Sequence, residues 1–236
     1  MHAHTDPDAS VPDIAAAIAA PARARMLYCL VDGRARTSTE LALIAGVTPS
    51  TASIHLHRLM RQHLVKVIRQ GKHHYYSLAG AHAAAALEAL SVLAGARRSS
   101  TGAQPPAATP VRTARSCYDH IAGVLGVALY DRFEGAGWLG AEPKRDPAAR
   151  ELTESGVRAF AALGIDVEAT RALRRRFACA CLDWSERRPH LGGALGAAFL
   201  DLALRRRWVA RQRDTRALTV TTAGHRELRA RFGVRI

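Results

Sequence analysis

Long apolar segments are missing from this chain of 236 residues, in which no apolar run approaches the roughly 18 residues that cross a bilayer. The first ten residues lack the basic and then apolar order of a secretory signal peptide, so we expect a cytoplasmic protein. Four cysteines are too few for a disulfide scaffold in a chain this long, which fits a reducing compartment. Phosphate-binding loops, hydrolase nucleophile motifs and zinc-protease motifs are also missing, so no enzyme is predicted.

Acidic side chains are missing from one long interval, because no Asp or Glu occurs between Glu40 and Glu88. The same interval holds five Lys or Arg residues and six of the eleven histidines, and the whole chain has a formal net charge of +14. A surface that faces phosphates must lack carboxylates, since each carboxylate would repel the nucleic-acid backbone. The interval therefore indicates a surface that binds nucleic acid.

Composition divides the chain into three regions. Residues 13–95 combine helix-like apolar spacing with one strand-like pair, and residues 113–236 form a second apolar-rich region. Residues 96–112 between them are rich in Ser, Pro, Thr and Gly, which predicts a linker. We therefore expect two domains of an α+β protein that is mainly α-helical with small β-hairpins.

The first region has the order of a winged helix-turn-helix. Thr39 is suited to cap one helix, Gly46 ends it, and Thr48 followed by a proline begins the next helix. Two helices joined by a tight turn that contains Gly are typical of the helix-turn-helix. The strand-like segments 65–69 and 73–78, separated by Gln-Gly-Lys, then predict a basic hairpin, the wing.

Short polar side chains share one face of the helix that follows Thr48, and we expect them to reach base edges or phosphates in the major groove. Basic and imidazole side chains of the wing are expected to contact phosphates or the minor groove. The residues predicted to bind DNA are Ser50, Thr51, Ser53, His57, Arg58, Arg69, Lys72 and His73.

Three segments carry a resemblance to a known family: PARARMLYCLVDG, TELALIAGVTPSTASIHLHRLMRQHLV and VIRQGKHHYYSL. Together they resemble the ArsR/SmtB family of bacterial repressors over about residues 13–95. The resemblance implies a homodimer that binds double-stranded DNA at an inverted-repeat operator and is released by a small inducer. Two positions depart from the family pattern, since Ile54 stands where a basic or polar residue is common and His63 where a glycine is common.

The predicted helix 82–95 has more apolar residues than one small domain needs, and we expect Leu87 and Leu90 to lie in a dimer interface.

The metal sites that the resemblance implies lack ligands here. The segment 39–45 contains no cysteine, and the helix 82–95 offers only His82 and Glu88. If the protein senses a metal, we expect the site to lie elsewhere.

The second region contains an internal repeat. HIAGVLGVALYDRFEGAGWL, which starts at His120, aligns without a gap with HLGGALGAAFLDLALRRRWV, which starts at His190. Each copy is predicted to form a helix, a short hairpin and a closing helix, in two pseudo-symmetric repeats at about 117–166 and 181–236. The glycines three residues apart on each long helix are expected to let the two helix backbones approach closely.

Cysteines and histidines near the start of each repeat suggest an effector site. Cys117 and His120 are three residues apart, so we expect them to share one helical face, and pseudo-symmetry would bring Cys117 close to Cys181. Thiolates with imidazoles suit a soft or borderline metal ion, a metalloid or a thiol-redox switch. Simple packing of the cysteines is the alternative. The candidate effector residues are Cys117, His120, Cys179, Cys181 and His190.

These patterns predict a cytoplasmic homodimeric repressor with a winged helix-turn-helix and a C-terminal effector domain, residues 113–236. The inducer would be a soft metal, a metalloid or a thiol oxidant. The alternatives are a repressor that senses a small organic ligand, a DNA-binding protein with little sequence preference, and an enzyme localised on DNA by the winged helix.

Overall fold

The computed structural model describes residues 7–70, 73–100, 109–141, 146–213 and 215–236, except for the side chains of residues 7–9, 73, 95–100 and 141. The chain forms two compact units, residues 1–87 and residues 88–236. Within the described residues, no helix combines the length and the apolar character that crossing a membrane requires.

The first unit contains helices and a three-stranded antiparallel sheet with strand order β1-β3-β2. Its elements are α1 (Pro7–Ala19), α2 (Pro21–Leu30), β1 (Arg36–Thr37), α3 (Ser38–Ala45), α4 (Pro49–Arg61), β2 (Val65–Gln70), β3 (His73–Leu78) and the start of α5 (Ala81–Ser100).

Capping explains where the two helices of the helix-turn-helix begin. Thr37, not Thr39, caps α3: its side chain accepts from Glu40 N while the Glu40 carboxylate accepts from Thr37 N, a capping box. The prediction of Thr39 was wrong because it overlooked the Glu three residues after Thr37. Gly46 ends α3 in the left-handed conformation, and Thr48 caps α4 as predicted.

The buried side of α4 forms part of the first unit's core. Ala52, Leu56 and Leu59 are completely buried, as their spacing predicted. A buried ion pair lies near the end of α2, where Arg36 donates two hydrogen bonds to Asp32 at 2.9 and 2.7 Å.

The second unit is built from hairpins and helices. Its elements after α5 are α6 (Pro110–Thr113), β4 (Arg115–Cys117), β5 (His120–Ala122), α7 (Gly123–Gly135), β6 (Leu139–Ala141), β7 (Ala149–Leu152), α8 (Glu154–Ala162), α9 (Val167–Arg171), β8 (Ala178–Leu182), β9 (Pro189–Gly192), α10 (Gly193–Arg205), β10 (Val209–Arg211), β11 (Leu218–Val220) and α11 (Thr222–Phe232).

Both halves of this unit have a hairpin, a long helix, a second hairpin and a helix capped by threonine, with α9 as an addition in the first half. The hairpins pair across the halves. β8 extends the β6-β7 hairpin into a four-stranded sheet with order β6-β7-β8-β9. β4 is joined to β11 by hydrogen bonds from Ser116 N to Arg216 O and from Leu218 N to Ala114 O. Each half therefore supplies a hairpin to the other.

Aromatic side chains form the centre of the second unit's core. Six rings contact one another with centroids 5.2 to 6.4 Å apart, mostly edge to face. They belong to Phe133, Trp138, Phe160, Phe199, Trp208 and Phe232.

Three predictions for this part of the chain need correction. Of the predicted linker 96–112, residues 96–100 continue α5 and residues 110–112 belong to α6, while residues 101–108 lie outside the part of the chain that the structure describes. Cys117 and His120 do not share a helical face: they lie opposite each other in the β4-β5 hairpin.

The glycines do not bring the two long helices together either. A side chain at Gly126 would meet Ile121 O at 2.4 Å and His190 Cβ at 3.3 Å. A side chain at Gly196 would meet Leu191 O at 2.4 Å and His120 Cβ at 3.0 Å. The glycines therefore make room for the hairpins and their histidines.

Candidate functional site

One face of α4 is exposed to solvent. Ser50, Ser53 and His57 are exposed on it, together with the neighbouring Arg58, whereas Thr51 is half-buried. The helix start holds several of these groups in place: Thr51 N donates to Thr48 Oγ1, and Ser53 Oγ donates to Pro49 O at 3.0 Å. The face thus offers hydroxyl and imidazole groups on a rigid helix, which suits contacts to base edges.

Sequence reasoning missed Ile54 as a member of this face. Its side chain is 70% exposed, and residues 50, 53, 54 and 57 share one side of a helix by spacing. An exposed apolar side chain among polar groups suits contact with the methyl group of thymine. The helical spacing was the signal, but Ile54 was interpreted only as a departure from a family pattern.

The wing is an antiparallel hairpin in which β2 and β3 pair from Val65 with Leu78 to Gln70 with His73. Lys66 and Arg69 are exposed on it. Lys72 lies outside the residues that the structure describes, as does the side chain of His73.

The leucines of α5 differ in exposure. Leu87 is completely buried within one chain, so the prediction that it contacts a second subunit needs correction: it is a core residue. Leu90 is 40% exposed and Leu93 is 64% exposed, which leaves an apolar surface on the later part of the helix.

The second unit brings together two cysteines and two histidines, Cys117, His120, Cys181 and His190, which we term the Cys/His cluster. Each hairpin supplies one of each type, because Cys117 pairs with His120 across β4 and β5 and Cys181 pairs with His190 across β8 and β9. The two Sγ atoms lie 4.0 Å apart and the two Nε2 atoms 3.1 Å apart. One donor atom from each residue lies within 4.8 Å of the other three.

The Cys/His cluster is almost closed to solvent. Cys117, His120 and His190 are buried, and Cys181 is half-buried. Burial removes competing water and strengthens electrostatic interactions among the four groups. The cluster is thus preformed and enclosed.

Two carboxylates stand behind the histidines. Asp119 Oδ1 lies 3.4 Å from His120 Nδ1, and Asp183 Oδ2 lies 3.5 Å from His190 Nδ1. Within the described residues, His190 Nδ1 has no aligned hydrogen-bond partner, so the Asp183 contact is electrostatic in this geometry. A carboxylate behind Nδ1 favours the tautomer whose Nε2 lone pair faces away from it, here towards the cluster.

Arginines neutralise these carboxylates. Arg115, completely buried, donates to Asp183 Oδ1 at 2.7 Å, and Gly123 N donates to Asp183 Oδ2 at 2.7 Å. Arg175 donates to Asp119 Oδ2 at 2.5 Å. Sequence reasoning missed Arg115 and Arg175, because their carboxylate partners are 68 and 56 residues away in the sequence. It also missed Asp119, although its position directly before His120 was a signal that could have been used.

The charges of the cluster influence one another. Burial alone would lower the pKa of His120, but Asp119 and the thiolate of Cys181 raise it to about 9. The hydrogen bond from Cys117 lowers the pKa of Cys181, and both histidines lower it further. The same hydrogen bond, together with burial, raises the pKa of Cys117. The cluster thus favours one thiolate beside one thiol.

Cys179 lies next to the cluster and not in it. It precedes Cys181 by two residues on β8 and pairs with Gly192 of β9. A side chain at Gly192 would meet Cys179 Sγ at 2.9 Å, Cys181 Cβ at 3.2 Å and His120 Nε2 at 3.4 Å. The glycine is therefore needed where these side chains crowd together.

Cys29, half-buried in the first unit, has its pKa raised to about 12, mainly by burial.

An ion pair connects the neighbourhood of Cys117 with α5. The Arg216 guanidinium pairs with the buried carboxylate of Glu88, and Arg216 O accepts from Ser116 N, the residue before Cys117. Ser116, Arg216 and Glu88 therefore link the backbone next to Cys117 to α5, the helix that also carries the exposed Leu90.

Comparisons with known proteins agree with the order of elements in the first unit. A family model described as bacterial regulatory protein, arsR family, matches residues 20–67. The uncharacterized HTH-type transcriptional regulator YdfF of Bacillus subtilis (strain 168) is 36% identical over 227 residues, which cover 96% of this chain and 99% of that protein.

Two solved structures resemble part of the chain. The homodimeric winged helix-turn-helix DNA-binding domain of Mb0332 from Mycobacterium bovis is 28% identical and covers 41% of this chain and 93% of its own, with a TM-score of 0.36. The cadmium metal-sensor CMTR from Mycobacterium tuberculosis is 35% identical and covers 34% of this chain and 82% of its own, with a TM-score of 0.30.

Proposed function

This chain belongs to the arsR family of bacterial regulatory proteins, and we propose that it is a homodimeric repressor that leaves its operator when a soft or borderline metal ion or a metalloid binds the Cys/His cluster. As a member of that family it is a transcription regulator that binds DNA, and the relative that aligns over 96% of the chain is named as an HTH-type transcriptional regulator. Repression and the metal signal are the parts that we propose.

The exposed face of α4 supports sequence-specific binding. Ser50, Ser53, Ile54 and His57 offer donors, acceptors and one apolar group on the same side of a helix, and the interval around them lacks acidic residues. The exposed Lys66 and Arg69 of the wing supply positive charge for the phosphate backbone. Two copies of such a helix in a dimer would read two half-sites of an inverted repeat.

Convergence of four ligands, two thiols and two imidazoles, at one point is the observation that carries the metal signal. The two cysteines are 64 positions apart in the sequence, yet their sulfur atoms lie 4.0 Å apart without a disulfide. The two histidines are 70 positions apart, and their Nε2 atoms lie 3.1 Å apart. Packing alone does not require two imidazoles and two thiols to face one another in a closed space, because each polar group loses water there. A bound cation would satisfy all four groups at once.

The ion pair between Arg216 and Glu88 provides a route for the signal. Drawing Cys117 and Cys181 towards one ion would change the relative angle of the two hairpins. Arg216, which is hydrogen-bonded to the β4 hairpin, would then move with it and displace Glu88. Because Glu88 lies on the helix that exposes Leu90, the change would reach the proposed dimer surface.

Operator binding with and without metal tests this function. An operator is first selected from random duplex DNA with reduced, metal-free protein, and its affinity is measured by fluorescence anisotropy. Zn²⁺, Cd²⁺ and arsenite are then added separately, and we expect at least one of them to weaken binding by about 5- to 150-fold, the usual range of allosteric coupling. Unchanged affinity with every one of these additions would contradict the proposal.

The two basic wing residues should differ from the α4 face in the way they bind DNA. Lys66→Ala and Arg69→Ala should weaken binding to operator and random DNA alike and reduce the salt dependence by about 0.9 in log-log slope for each lost phosphate contact. His57→Ala and Ile54→Ala should instead reduce affinity mainly for the operator. Arg158→Ala, an exposed arginine of α8 in the second unit, is the control and should change neither. Identical behaviour of both pairs would refute this division of roles.

A thiol-redox signal is the second candidate, because the two Sγ atoms lie 4.0 Å apart. Two thiols and one molecule of hydroperoxide would give a Cys117–Cys181 disulfide, water and an alcohol or a second water. Release of the operator by peroxide in metal-free protein, reversed by dithiothreitol, would favour this candidate over metal binding.

A further inference from the structure

We propose that the Cys/His cluster is a closed, four-coordinate site for a borderline divalent cation of the zinc class, bound by both cysteine sulfurs and by Nε2 of both histidines. Asp119 and Asp183 act as positioning residues behind the histidines. The inference deepens the proposed function, since it rests on the cluster being the effector site, and it narrows the signal to one class of ion.

The spacing of the donor atoms matches a tetrahedral ion of this size. Zinc is bound at about 2.3 Å by sulfur and at about 2.0 to 2.1 Å by imidazole nitrogen. In a tetrahedral site, the distance between two ligand atoms is about 1.63 times the metal–ligand bond length. Zinc therefore requires about 3.8 Å between the two sulfurs and about 3.3 Å between the two nitrogens. The measured distances are 4.0 Å between the Sγ atoms and 3.1 Å between the Nε2 atoms. The sulfur pair and the nitrogen pair are thus each about 0.2 Å from the length of a tetrahedral edge. The sulfur-to-nitrogen edges lie within 4.8 Å and would have to close to about 3.6 Å when the ion binds.

The number and type of donors exclude other classes of ion. Mg²⁺ and Ca²⁺ prefer oxygen ligands, and this cluster offers nitrogen and sulfur. A metalloid held by three thiolates would need a third sulfur, and Cys179 does not belong to the group of four. Two sulfurs with two imidazoles are a common tetrahedral zinc set.

The charge balance favours a dication. Two thiolates and a dication sum to zero, whereas a monovalent ion would leave one negative charge in a buried site. Behind the ligands, Asp183 is paired with Arg115 and Asp119 with Arg175, so these carboxylates add no net charge. The inner and outer groups are then both neutral.

Four protein ligands leave no open coordination position. Cys117, His120 and His190 are buried, and the site lies between two hairpins whose backbones are fixed by strand pairing. Closed sites with four protein ligands hold their ion without catalysing reactions on it. The geometry therefore fits an ion that controls structure, which is what a sensor needs.

Cobalt titration tests the site directly. Co²⁺ alone is added to the full chain, reduced and free of metal, under anaerobic conditions and in the absence of DNA. We expect one ion per chain, the intense visible absorption of tetrahedral Co²⁺ with a thiolate charge-transfer band, and loss of both when Zn²⁺ displaces it. Cys117→Ser and Cys181→Ser should abolish the spectrum, whereas Cys179→Ser and Cys29→Ser, the matched controls, should retain it.

X-ray absorption of the wild-type protein loaded with Zn²⁺ avoids dependence on any variant. Two sulfur and two nitrogen scatterers support the inference; three sulfurs, or oxygen and nitrogen alone, overturn it. A pale spectrum typical of six-coordinate Co²⁺, or equal loss in Cys179→Ser, overturns it as well. Since no DNA is present, tetrahedral binding without an effect on operator affinity would remove only the proposed function.

Asp119 should act by orienting His120. Asp119→Asn is expected to weaken Zn²⁺ binding by about 10- to 100-fold in competition with a chromophoric chelator, as loss of a carboxylate behind a histidine ligand commonly does. The position and intensity of the cobalt bands should stay almost unchanged, because all four ligands remain. Asp119→Glu should restore part of the affinity, and Asp201→Asn, which changes an exposed aspartate on α10, serves as control. An unchanged affinity in Asp119→Asn would remove this residue from the site.

Discussion

Cys117→Ser and Cys181→Ser should each leave operator affinity nearly unchanged and abolish the release of DNA by metal. The reason is that neither cysteine lies in the unit that contains α4 and the wing, whereas both supply sulfur to the cluster. Wild-type protein should lose about 5- to 150-fold in operator affinity when metal is added, and the variants should lose none. Fluorescence anisotropy with and without one equivalent of Zn²⁺ measures both quantities.

Cys179→Ser is the matched control for this experiment. It removes a half-buried thiol from the same strand, two residues from Cys181, but does not alter the four donors. Circular dichroism of all three variants excludes unfolding as the cause of a lost response. If Cys117→Ser and Cys181→Ser release DNA as the wild type does, the cysteines are packing residues and the inducer acts elsewhere.

Leu90→Glu should convert the proposed dimer to a monomer and weaken operator binding by at least about 100-fold. In a dimer, binding of one half-site holds the second recognition helix close to the other half-site, and a monomer loses this effect. Leu90 is 40% exposed in one chain and continues towards the more exposed Leu93 on the same helix. A charge on this surface would have to be desolvated in a dimer. Sedimentation velocity gives the assembly state, and anisotropy gives the affinity.

Leu173→Glu provides the control for a charge on an exposed leucine, since Leu173 is 53% exposed and lies in the second unit away from α5 in the sequence. Leu87→Glu is not a useful variant, because that side chain is completely buried and a charge there would unfold the chain. A Leu90→Glu protein that sediments as a dimer would place the interface on another surface.

The sequence was most informative where local chemistry determines the backbone. The Thr-Pro start of α4, the left-handed Gly46 and the apolar spacing of Ala52, Leu56 and Leu59 are short-range signals, and the structure contains all of them. The convergence of Cys117 with Cys181 was also predictable, because the aligned histidines place both cysteines at the same end of two similar segments.

The local geometry around Cys117 was not predictable in the same way. A spacing of three residues fits one turn of a helix and also a hairpin with two residues in its loop. Here the chain turns at Tyr118, whose φ of 58° is left-handed, although Cys-Tyr-Asp-His lacks the glycine that usually marks such turns. The pairing of each hairpin with the other half depends on contacts distant in sequence, which no local pattern encodes.

The exchange of hairpins between the halves also sets when this unit can fold. During synthesis, β4 leaves the ribosome long before β11, the strand region to which it is joined, and the β6-β7 hairpin must wait for β8. Such non-local pairing delays folding, because the chain between the paired strands loses conformational entropy before the new contacts form and offset that loss. The thiol of Cys117 therefore stays accessible to solvent until the β8-β9 hairpin has been synthesised. A nascent chain that ends before β8 lacks Cys181 and His190 and cannot form the Cys/His cluster.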